Sequence, residues 1–484
     1  MRSTSPQNLW QCSAVELARL LRARAVSAVE IAEVLLDRIA AVDPMLHAYV
    51  TVDREVTLGQ ARAAQDELDR GHDRGPLHGI PVSLKDAIDT ASIRTTWGSK
   101  AFEHRRPETD AFVARKLADA RAVLLGKANL LEFCAGPSDA APFGRTANPW
   151  KPSHFSGGSS SGSAAAVAAG LGPISLGTDT GGSVRGPAAF CGVPGLKPTF
   201  GRIGRSGVFE LSFTLDHIGI LARRVEDIAV TMAAVAGEDP DDPGSLRTSP
   251  PDYLGLMRID RARPLLLVPR AHFWEALEPE VERLVENAIG VFRSLGYKLR
   301  EVTIDEVETM HRTHAAIVPV EVAWRHGDMV AEITEGIGRN FRKRVATGSK
   351  TFATAYAEAM HARASLQASL ARTLAGGALL LLPGSPCVSV PLTDPWVTGE
   401  KPLDPLRSKW TALFNNAGVP ALTVPCGLTA EGLPAAIQLV GLWDEEPQVL
   451  RTAIEYEQAT GWWKLWPREQ TSPVAAAEGT TKRA

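Results

Sequence analysis

Two glycine-rich stretches carry the serines that could do chemistry, SGGSSSGS at residues 156–163 and TDTGGSVRG at residues 178–186. A serine hydroxyl becomes a nucleophile only when a base takes its proton. Glycine-dense turns bring backbone N–H groups close together, which suits an anion or a developing oxyanion. The Ala-rich run SAAAVAAG follows the first stretch directly and predicts a helix. The first stretch is therefore interpreted as part of a binding or catalytic site, since a flexible linker would not lead at once into a helix.

A base for such a serine must lie elsewhere in the chain, and Lys85 is one candidate. It ends a short apolar strand in GPLHGIPVSLKDAID, where burial would lower its pKa enough to make the neutral amine available. His78 and His154 are the histidines nearest to the motifs in sequence. From the residues alone, Lys85 could equally be a surface lysine, and the serines could be turn or cap residues.

Other motifs in the chain are weaker. Gly158 to Gly162 matches G-x-S-x-G, which would make Ser160 a nucleophile, but that motif must follow a strand. The preceding ANPWKPSHFSG is polar and interrupted by proline, so we predict no strand there. A P-loop is excluded because Ser163 stands where lysine is required. His311 and His314 have metal-like spacing on a mostly polar helix, a pattern that favours solvated side chains, and we predict no metal site.

Composition limits the class of protein. The chain has 484 residues, 44% hydrophobic and 22% charged, with a net charge of −3, as in ordinary globular proteins. No basic run is present, so we expect no nucleic-acid partner. The five scattered cysteines favour a reducing compartment without disulfides. Neither a signal peptide nor an apolar run long enough for a transmembrane helix is visible. These features predict a soluble cytoplasmic protein with no membrane partner.

Secondary-structure signals alternate between helix and strand. Capping-box spacing at Ser13 and Ser27 predicts two N-terminal helices. Apolar strands at 82–84 and 122–126 flank a helical pattern at 110–120, which favours α/β architecture. The Asp-, Pro- and Ser-rich segment 238–251 is interpreted as a long surface connection.

We divide the chain into three parts. Residues 1–70 form a helical segment packed on the core, residues 71–470 form the α/β domain, and residues 471–484 form a tail predicted to be disordered.

Several blocks together resemble the amidase signature family, serine hydrolases that cleave amides through a Ser–Ser–Lys triad. They are the block 157–202 and the motifs GPLHGIPVSLKDAID, VLLGKANLLEF, FGRTANPW and VPALTVPCGLTAEGLPAAIQLVG. The likeness spans about residues 13–457 and is weakest between 245 and 379. It implies a single large α/β domain with a central mixed, twisted β-sheet covered by helices.

The resemblance also assigns roles to residues. It implies Ser183 as the nucleophile, Ser159 as the bridging serine after a cis Gly158–Ser159 peptide bond, and Lys85 as the base. Neither His78 nor His154 lies at a catalytic position of the family. The implied oxyanion hole uses backbone N–H groups of Thr180, Gly181, Gly182 and Ser183.

The substrate pocket is expected between the loop after Phe133 and the divergent segment 245–379. Cys134 is a candidate substrate contact, with the role of a small buried hydrophobe as the alternative. Three tryptophans are candidate aromatic walls, with core packing as the alternative: Trp97, Trp274 and Trp324. Asp179 and Arg185 are interpreted as an ion pair that braces the nucleophile turn.

These observations lead us to predict an amidohydrolase that works alone, through an acyl-enzyme on Ser183, on a small aryl or alkyl amide, carbamate or ester. No cofactor is expected, and whether the chain forms a homodimer stays open. One alternative is the A subunit of a glutamine-dependent tRNA amidotransferase, a branch of the family that carries G-Y-Y-D-A-Y-Y. The comparable FATAYAEAMHAR keeps only Tyr356 of those tyrosines. A second alternative is a non-catalytic binding protein on the same fold.

Overall fold

A computed structural model describes residues 6–136, 138–258, 262–401 and 405–468 of the chain. Within these ranges the chain forms fifteen α-helices and thirteen strands. The helices are α1 (Ala14–Arg22), α2 (Ala28–Leu46), α3 (Arg54–Asp69), α4 (Phe112–Asp119), α5 (Ser161–Ala168), α6 (Arg185–Cys191), α7 (Val225–Val235), α8 (Tyr253–Arg258), α9 (Arg270–Phe273), α10 (Pro279–Ser294), α11 (Val307–Glu332), α12 (Arg339–Gly348), α13 (Ala353–Thr373), α14 (Pro405–Ala417) and α15 (Glu446–Thr460).

Eleven of the strands form one mixed sheet at the centre of the molecule. The strands are β1 (Tyr49–Thr51), β2 (Pro81–Lys85), β3 (Val123–Ala128), β4 (Ala147–Asn148), β5 (Lys151–Phe155), β6 (Ile174–Asp179), β7 (Gly195–Lys197), β8 (His217–Ala222), β9 (Leu266–Pro269), β10 (Leu299–Val302), β11 (Leu379–Pro383), β12 (Ala421–Leu428) and β13 (Pro434–Val440). Their order in the sheet is β1-β3-β2-β6-β8-β7-β12-β13-β11-β9-β10, and β4 pairs with β5 separately.

Helices bury both faces of this sheet, as β11 illustrates. Successive side chains of a strand point to opposite faces. Leu379 and Leu381 belong to one apolar cluster, whereas Leu380 and Leu382 belong to another. All four are completely buried. The predicted single α/β domain with a central mixed sheet covered by helices is therefore confirmed.

Local predictions hold for most elements. Ser13 and Ser27 accept from the N–H groups of Glu16 and Glu30, whose carboxylates close both capping boxes. The segment between α7 and α8, which contains residues 238–251, carries no helix or strand. One local prediction is wrong: a strand, β5, does precede the first glycine-rich stretch and pairs with β4.

The N-terminal part adds one element that periodicity missed. β1 is only three residues long, too short for a pattern, and it pairs antiparallel with β3 at the edge of the main sheet. The division at residue 70 stays a prediction, although β1 shows that this part shares the central sheet. The predicted tail, 471–484, lies outside the described residues. None of the helices in the described ranges is both long and apolar enough to cross a membrane.

The sheet brings two chemically important strand ends together. β2 and β6 are parallel neighbours, with Val82 opposite Ile174 and Leu84 opposite Leu176. Their carboxyl ends therefore lie at the same edge of the sheet, where open α/β sheets commonly bind ligands. Lys85 ends β2, and Thr178 and Asp179 end β6.

Candidate active site

Lys85 lies at the centre of this edge and is completely buried. Its Nζ donates to Ser159 Oγ at 2.7 Å and to Thr178 Oγ1 at 2.7 Å. Burial lowers the pKa of the Lys85 amine from its ordinary value, because the charged form is disfavoured away from water. The environment thus provides what a lysine base requires: access to its neutral form and a hydroxyl partner within hydrogen-bond distance.

The first glycine-rich stretch places Ser159 between Lys85 and the second stretch. The Gly158–Ser159 peptide bond is cis, as the resemblance implies. Leu131 N–H donates to the Ser159 carbonyl at 3.1 Å, and Ser160 N–H donates to the Ser183 carbonyl at 3.1 Å. The second of these bonds ties the two glycine-rich stretches together, and α5 begins directly afterwards at Ser161.

A cavity of about 370 Å³ opens in front of the second stretch. Ser183 lines this cavity and is partly exposed to it, whereas Ser159 and Lys85 lie buried behind it. Ser160 is buried too, and its Oγ donates to the Thr178 carbonyl at 3.1 Å. Among these three serines, the arrangement leaves Ser183 as the one that a substrate in the cavity can meet.

The backbone N–H groups of the turn that leads to Ser183 differ in whether they have a hydrogen-bond partner. Gly182 N–H donates to Asp179 Oδ1 at 2.8 Å, so this predicted oxyanion donor is engaged by a carboxylate. In the described part of the chain, the N–H groups of Thr180, Gly181 and Ser183 donate to no other group. The assignment of these three N–H groups to an oxyanion hole stays a prediction.

Asp179 and Arg185 brace this turn. Both side chains are fully buried and paired, with Arg185 Nη2 at 2.9 Å from Asp179 Oδ1. Burial alone would raise the pKa of Asp179, but the charge of Arg185 and hydrogen bonds from Arg185 and Asn415 outweigh it and hold that pKa well below its usual range. The observed ion pair agrees with the interpretation of these residues as a brace.

We call the cavity side formed by Gly157, Gly158 and Thr180–Ser183 the glycine-rich wall. The opposite side, which we call the helical wall, consists of side chains from α11 and α12. Its members are His311, His314, Ala315, Val318, Pro319 and Arg344. The two walls come close together at Gly181, where an added Cβ would lie 2.8 Å from His314 Nε2.

Sequence reasoning did not place the side chains of the helical wall at the cavity. His311 and His314 line the cavity, a position that the sequence analysis did not assign to them. Their spacing of three residues already places them on one helix face, and that was the available signal. Nothing in the sequence singled out Arg344. Thr178 was missed as well, although it belongs to the TDTGGS motif and accepts from Lys85.

None of the three candidate aromatic-wall residues lines the cavity. Trp97 packs against Phe102 and Phe209 outside the cavity, and Trp324 is 71% exposed. Trp274 also does not line the cavity. The aromatic residues that do line it are Phe155, Phe190 and Trp396.

Cys134 lines the cavity beside the triad. Its Sγ accepts from Thr178 Oγ1 at 3.5 Å, so it contacts the partner of Lys85. A direct contact between Cys134 and substrate stays a prediction. Across the described ranges, no cluster of three or more histidine, cysteine, aspartate or glutamate side chains could hold a metal ion.

Comparison with known proteins identifies the relatives of this chain. The family described as Amidase matches residues 30–450. The A subunit of a glutamyl-tRNA(Gln) amidotransferase from Carboxydothermus hydrogenoformans is 37% identical over 95% of this chain and 99% of the relative. The solved structure of the corresponding A subunit from Thermotoga maritima superimposes with a TM-score of 0.75 at 29% identity, covering 97% of this chain and 96% of that one.

Another solved structure, from work on a vestigial protein complex and the origins of an s-triazine catabolic enzyme, is also similar. Its TM-score is 0.86 at 29% identity, and the match covers 93% of this chain and 99% of that chain.

Two sequence-based predictions are corrected by these relatives. The prediction of an amidohydrolase that works alone on a linear amide or carbamate is wrong, because the curated relatives are amidotransferase subunits. The expectation of a small-molecule partner without nucleic acid is wrong for the same reason. With a match over most of its length, the chain belongs to the amidase signature family of enzymes.

Proposed function

We propose that this chain is the amide-hydrolysing A subunit of a glutamine-dependent tRNA amidotransferase, working in the cytoplasm beside a partner that binds tRNA. The observation that carries the proposal is the 37% identity to such subunits over 95% of the chain. The buried Lys85–Ser159 pair behind an accessible Ser183 supports it, because an ammonia-releasing subunit must cleave a carboxamide.

In the first step, Ser183 Oγ attacks the carboxamide carbon of glutamine. Its proton passes to Ser159 Oγ while the Ser159 proton passes to the neutral Lys85 amine, 2.7 Å away. The carbonyl oxygen gains negative charge and takes hydrogen bonds from N–H groups of the glycine-rich wall. Lys85 is then an ammonium, and the tetrahedral intermediate is bound to Ser183.

In the second step, the carbon–nitrogen bond breaks. The proton on Lys85 returns through Ser159 to the departing nitrogen, so ammonia leaves and an ester on Ser183 remains. Water then attacks this ester and gives its proton to the same relay. Glutamate is released, and Ser183, Ser159 and Lys85 regain their starting protonation states.

Tyr356, the tyrosine shared with the glutamine-dependent branch of the family, does not face the cavity. Its Oη donates to Glu321 Oε1 at 2.9 Å, and Glu321 also accepts from Thr214 Oγ1 at 2.7 Å. Tyr356 is absent from the cavity lining. Recognition of the substrate's polar end must therefore come from other side chains of the cavity.

The proposal is tested by amide-nitrogen transfer in the assembled enzyme. The chain is combined with its tRNA-binding partner, glutamine, ATP and glutamyl-tRNA(Gln), and both ammonia and glutaminyl-tRNA(Gln) are measured. We expect both products, and neither with Ser183→Ala. Ammonia release without any glutaminyl-tRNA(Gln) would overturn the amidotransferase role. Absence of ammonia under every condition would favour a non-catalytic binding protein instead.

A further inference from the structure

A buried carboxylate that the proton relay does not use lies beside the turn that leads to Ser183. β6 and β8 are antiparallel neighbours, and Asp179 lies opposite His217 at the end of their pairing. The same register brings together the next two residues, Thr180 after β6 and Asp216 before β8. Thr180 Oγ1 donates to Asp216 Oδ1 at 2.5 Å, and both residues are buried. The turn is therefore joined to the end of a second strand.

Hydrogen bonds alone hold the carboxylate of Asp216 in place. Its Oδ2 accepts from the N–H groups of Leu211 at 2.7 Å and Ser212 at 2.9 Å. Burial raises the pKa of Asp216 to about 6, although hydrogen bonds from Ser212 and Thr180 oppose the rise. The carboxylate is therefore mainly ionised at pH 7, and its bond to the Thr180 hydroxyl is charge-assisted.

The loop that carries Asp216 is itself anchored to α11. Glu321 of α11 is buried and accepts from the hydroxyl of Ser212. The same carboxylate accepts from Thr214 Oγ1 at 2.7 Å. Within the loop, Asp216 N–H donates to the Ser212 carbonyl at 2.9 Å. Asp216 therefore belongs to a loop with several fixed points, which makes it a suitable anchor for a glycine-rich turn.

The glycines that follow Thr180 take their orientation from contacts on either side. Asp179 Oδ1 accepts from Gly182 N–H at 2.8 Å. Thr411 Oγ1 donates to the Gly181 carbonyl at 2.7 Å, so the peptide group between the two glycines is held at both ends. The Thr180 side chain anchors the preceding peptide group, which contains the Gly181 N–H. Successive glycines have wide conformational freedom, so such contacts decide where their N–H groups point.

We propose that Asp216 is a positioning residue, which through the Thr180 hydroxyl keeps the N–H groups of the turn aimed at the acyl oxygen of the group that Ser183 attacks. The inference rests on the proposed function in one respect, that Ser183 is the nucleophile. Stabilisation of a developing oxyanion depends on donors that are already in place. A turn released from Asp216 should therefore bind a ligand nearly as before but stabilise the transition state less.

A purely structural role is the competing explanation for Asp216. Its bonds to the N–H groups of Leu211 and Ser212 could simply hold the loop. Loss of the loop would disturb ligand binding and reaction alike, whereas loss of the bond to Thr180 would affect the reaction alone. Thr180→Val separates the two roles, since it removes the hydroxyl at nearly equal size and leaves both loop bonds intact.

The experiment measures how fast an alkyl fluorophosphonate modifies Ser183 in the purified full chain. Ser183 Oγ forms a bond to phosphorus, fluoride leaves, and the serine proton passes to Ser159 and on to Lys85. The phosphoryl oxygen meets the N–H groups that a carbonyl oxygen would meet. The dependence on reagent concentration gives the maximal rate of modification and the half-saturating concentration. Ser183→Ala is the control for the position of the label.

Thr180→Val should lower the maximal rate ~10-fold to 100-fold and change the half-saturating concentration by less than about threefold. Thr180→Ser keeps the hydroxyl and should retain most of the rate. Asp216→Asn should lower the rate similarly, and its combination with Thr180→Val should lose no more than either alone, because both remove the same bond. The matched control is Thr214→Val, which removes a hydroxyl from Glu321 in the same loop and should change neither constant.

Three results would overturn the proposal. They are an unchanged maximal rate in Thr180→Val, an equally large loss in Thr180→Ser, and fully additive losses in the double variant. If Thr180→Val does not fold, Thr180→Ala lacks the same hydroxyl without added bulk and should show the same loss. The reaction needs neither glutamine nor tRNA, so failure of the amidotransferase assay would leave this test intact.

Discussion

The two walls of the cavity use different parts of the polypeptide. The glycine-rich wall presents backbone N–H groups and one serine, all held by short turns beside the ends of β2 and β6. The helical wall presents side chains from α11 and α12, in the segment where the resemblance to the family is weakest. The contrast suggests that bond cleavage belongs to the first wall and choice of substrate to the second.

The largest expected effect is a difference in catalytic rate between substitutions at the triad and substitutions on the helical wall. Ser183→Ala and Lys85→Ala should each lower the rate of ammonia release from glutamine by ~1000-fold or more, because they remove the nucleophile or its base. His311→Ala, on the helical wall, should lower kcat/KM by ~10-fold at most. Steady-state kinetics of the assembled enzyme check this, and a His311→Ala loss as large as that of Ser183→Ala would erase the distinction.

A second effect concerns the free energy of unfolding and the buried Asp179–Arg185 ion pair behind the glycine-rich wall. Arg185→Met would leave Asp179 charged, buried and without its ion pair, which typically costs about 3–5 kcal/mol in the free energy of unfolding. Chemical denaturation measures this loss. The matched control is Arg339→Met on α12, whose partner is Asp139 but whose side chain is 88% exposed, so its removal should not measurably change stability. Equal free energies of unfolding for Arg185→Met and Arg339→Met would contradict the claim that the Asp179–Arg185 pair stabilises the turn.

A third, smaller effect tests the contact between the walls. Gly181→Ala would place a methyl group 2.8 Å from His314 Nε2, so the imidazole must move. We expect a loss of ~10-fold in kcat/KM from the displaced walls, and recovery of most of it in the double variant with His314→Ala. Steady-state kinetics are measured for the unmodified protein, the two single variants and the double variant, and they give the coupling free energy between the two positions. Purely additive losses would show that Gly181 and His314 are not in contact.

The smallest effect is a shift in pH dependence. Lys85 acts only when neutral, so kcat/KM should rise with pH through a pKa that lies below the ordinary value of a lysine. Thr178→Val removes a hydrogen-bond acceptor that favours the ammonium, which should move the rise to lower pH by less than about one unit. His314, with a pKa of about 4, should add no inflection above pH 6. A shift to higher pH in Thr178→Val would contradict the assignment of Lys85.

Much of the fold and one wall could be predicted from the sequence because their signals are local. Capping boxes, the strand that ends at Lys85 and the glycine-dense turns each lie within a few residues. The helical wall could not be predicted from the sequence, because its contacts join distant parts of the chain. Arg344, for example, donates a hydrogen bond to the Ala135 carbonyl. β1 escaped prediction because three residues carry no periodicity, and its pairing with β3 is tertiary.

The most direct test of the account is to trap the acyl-enzyme. Glutamine turnover by the assembled enzyme is stopped with acid, and peptide mass spectrometry locates any covalent γ-glutamyl group. We predict the group on Ser183 in the unmodified chain and no adduct in Ser183→Ala. An adduct on Ser159 or Ser160, or full turnover by Ser183→Ala, would contradict the account.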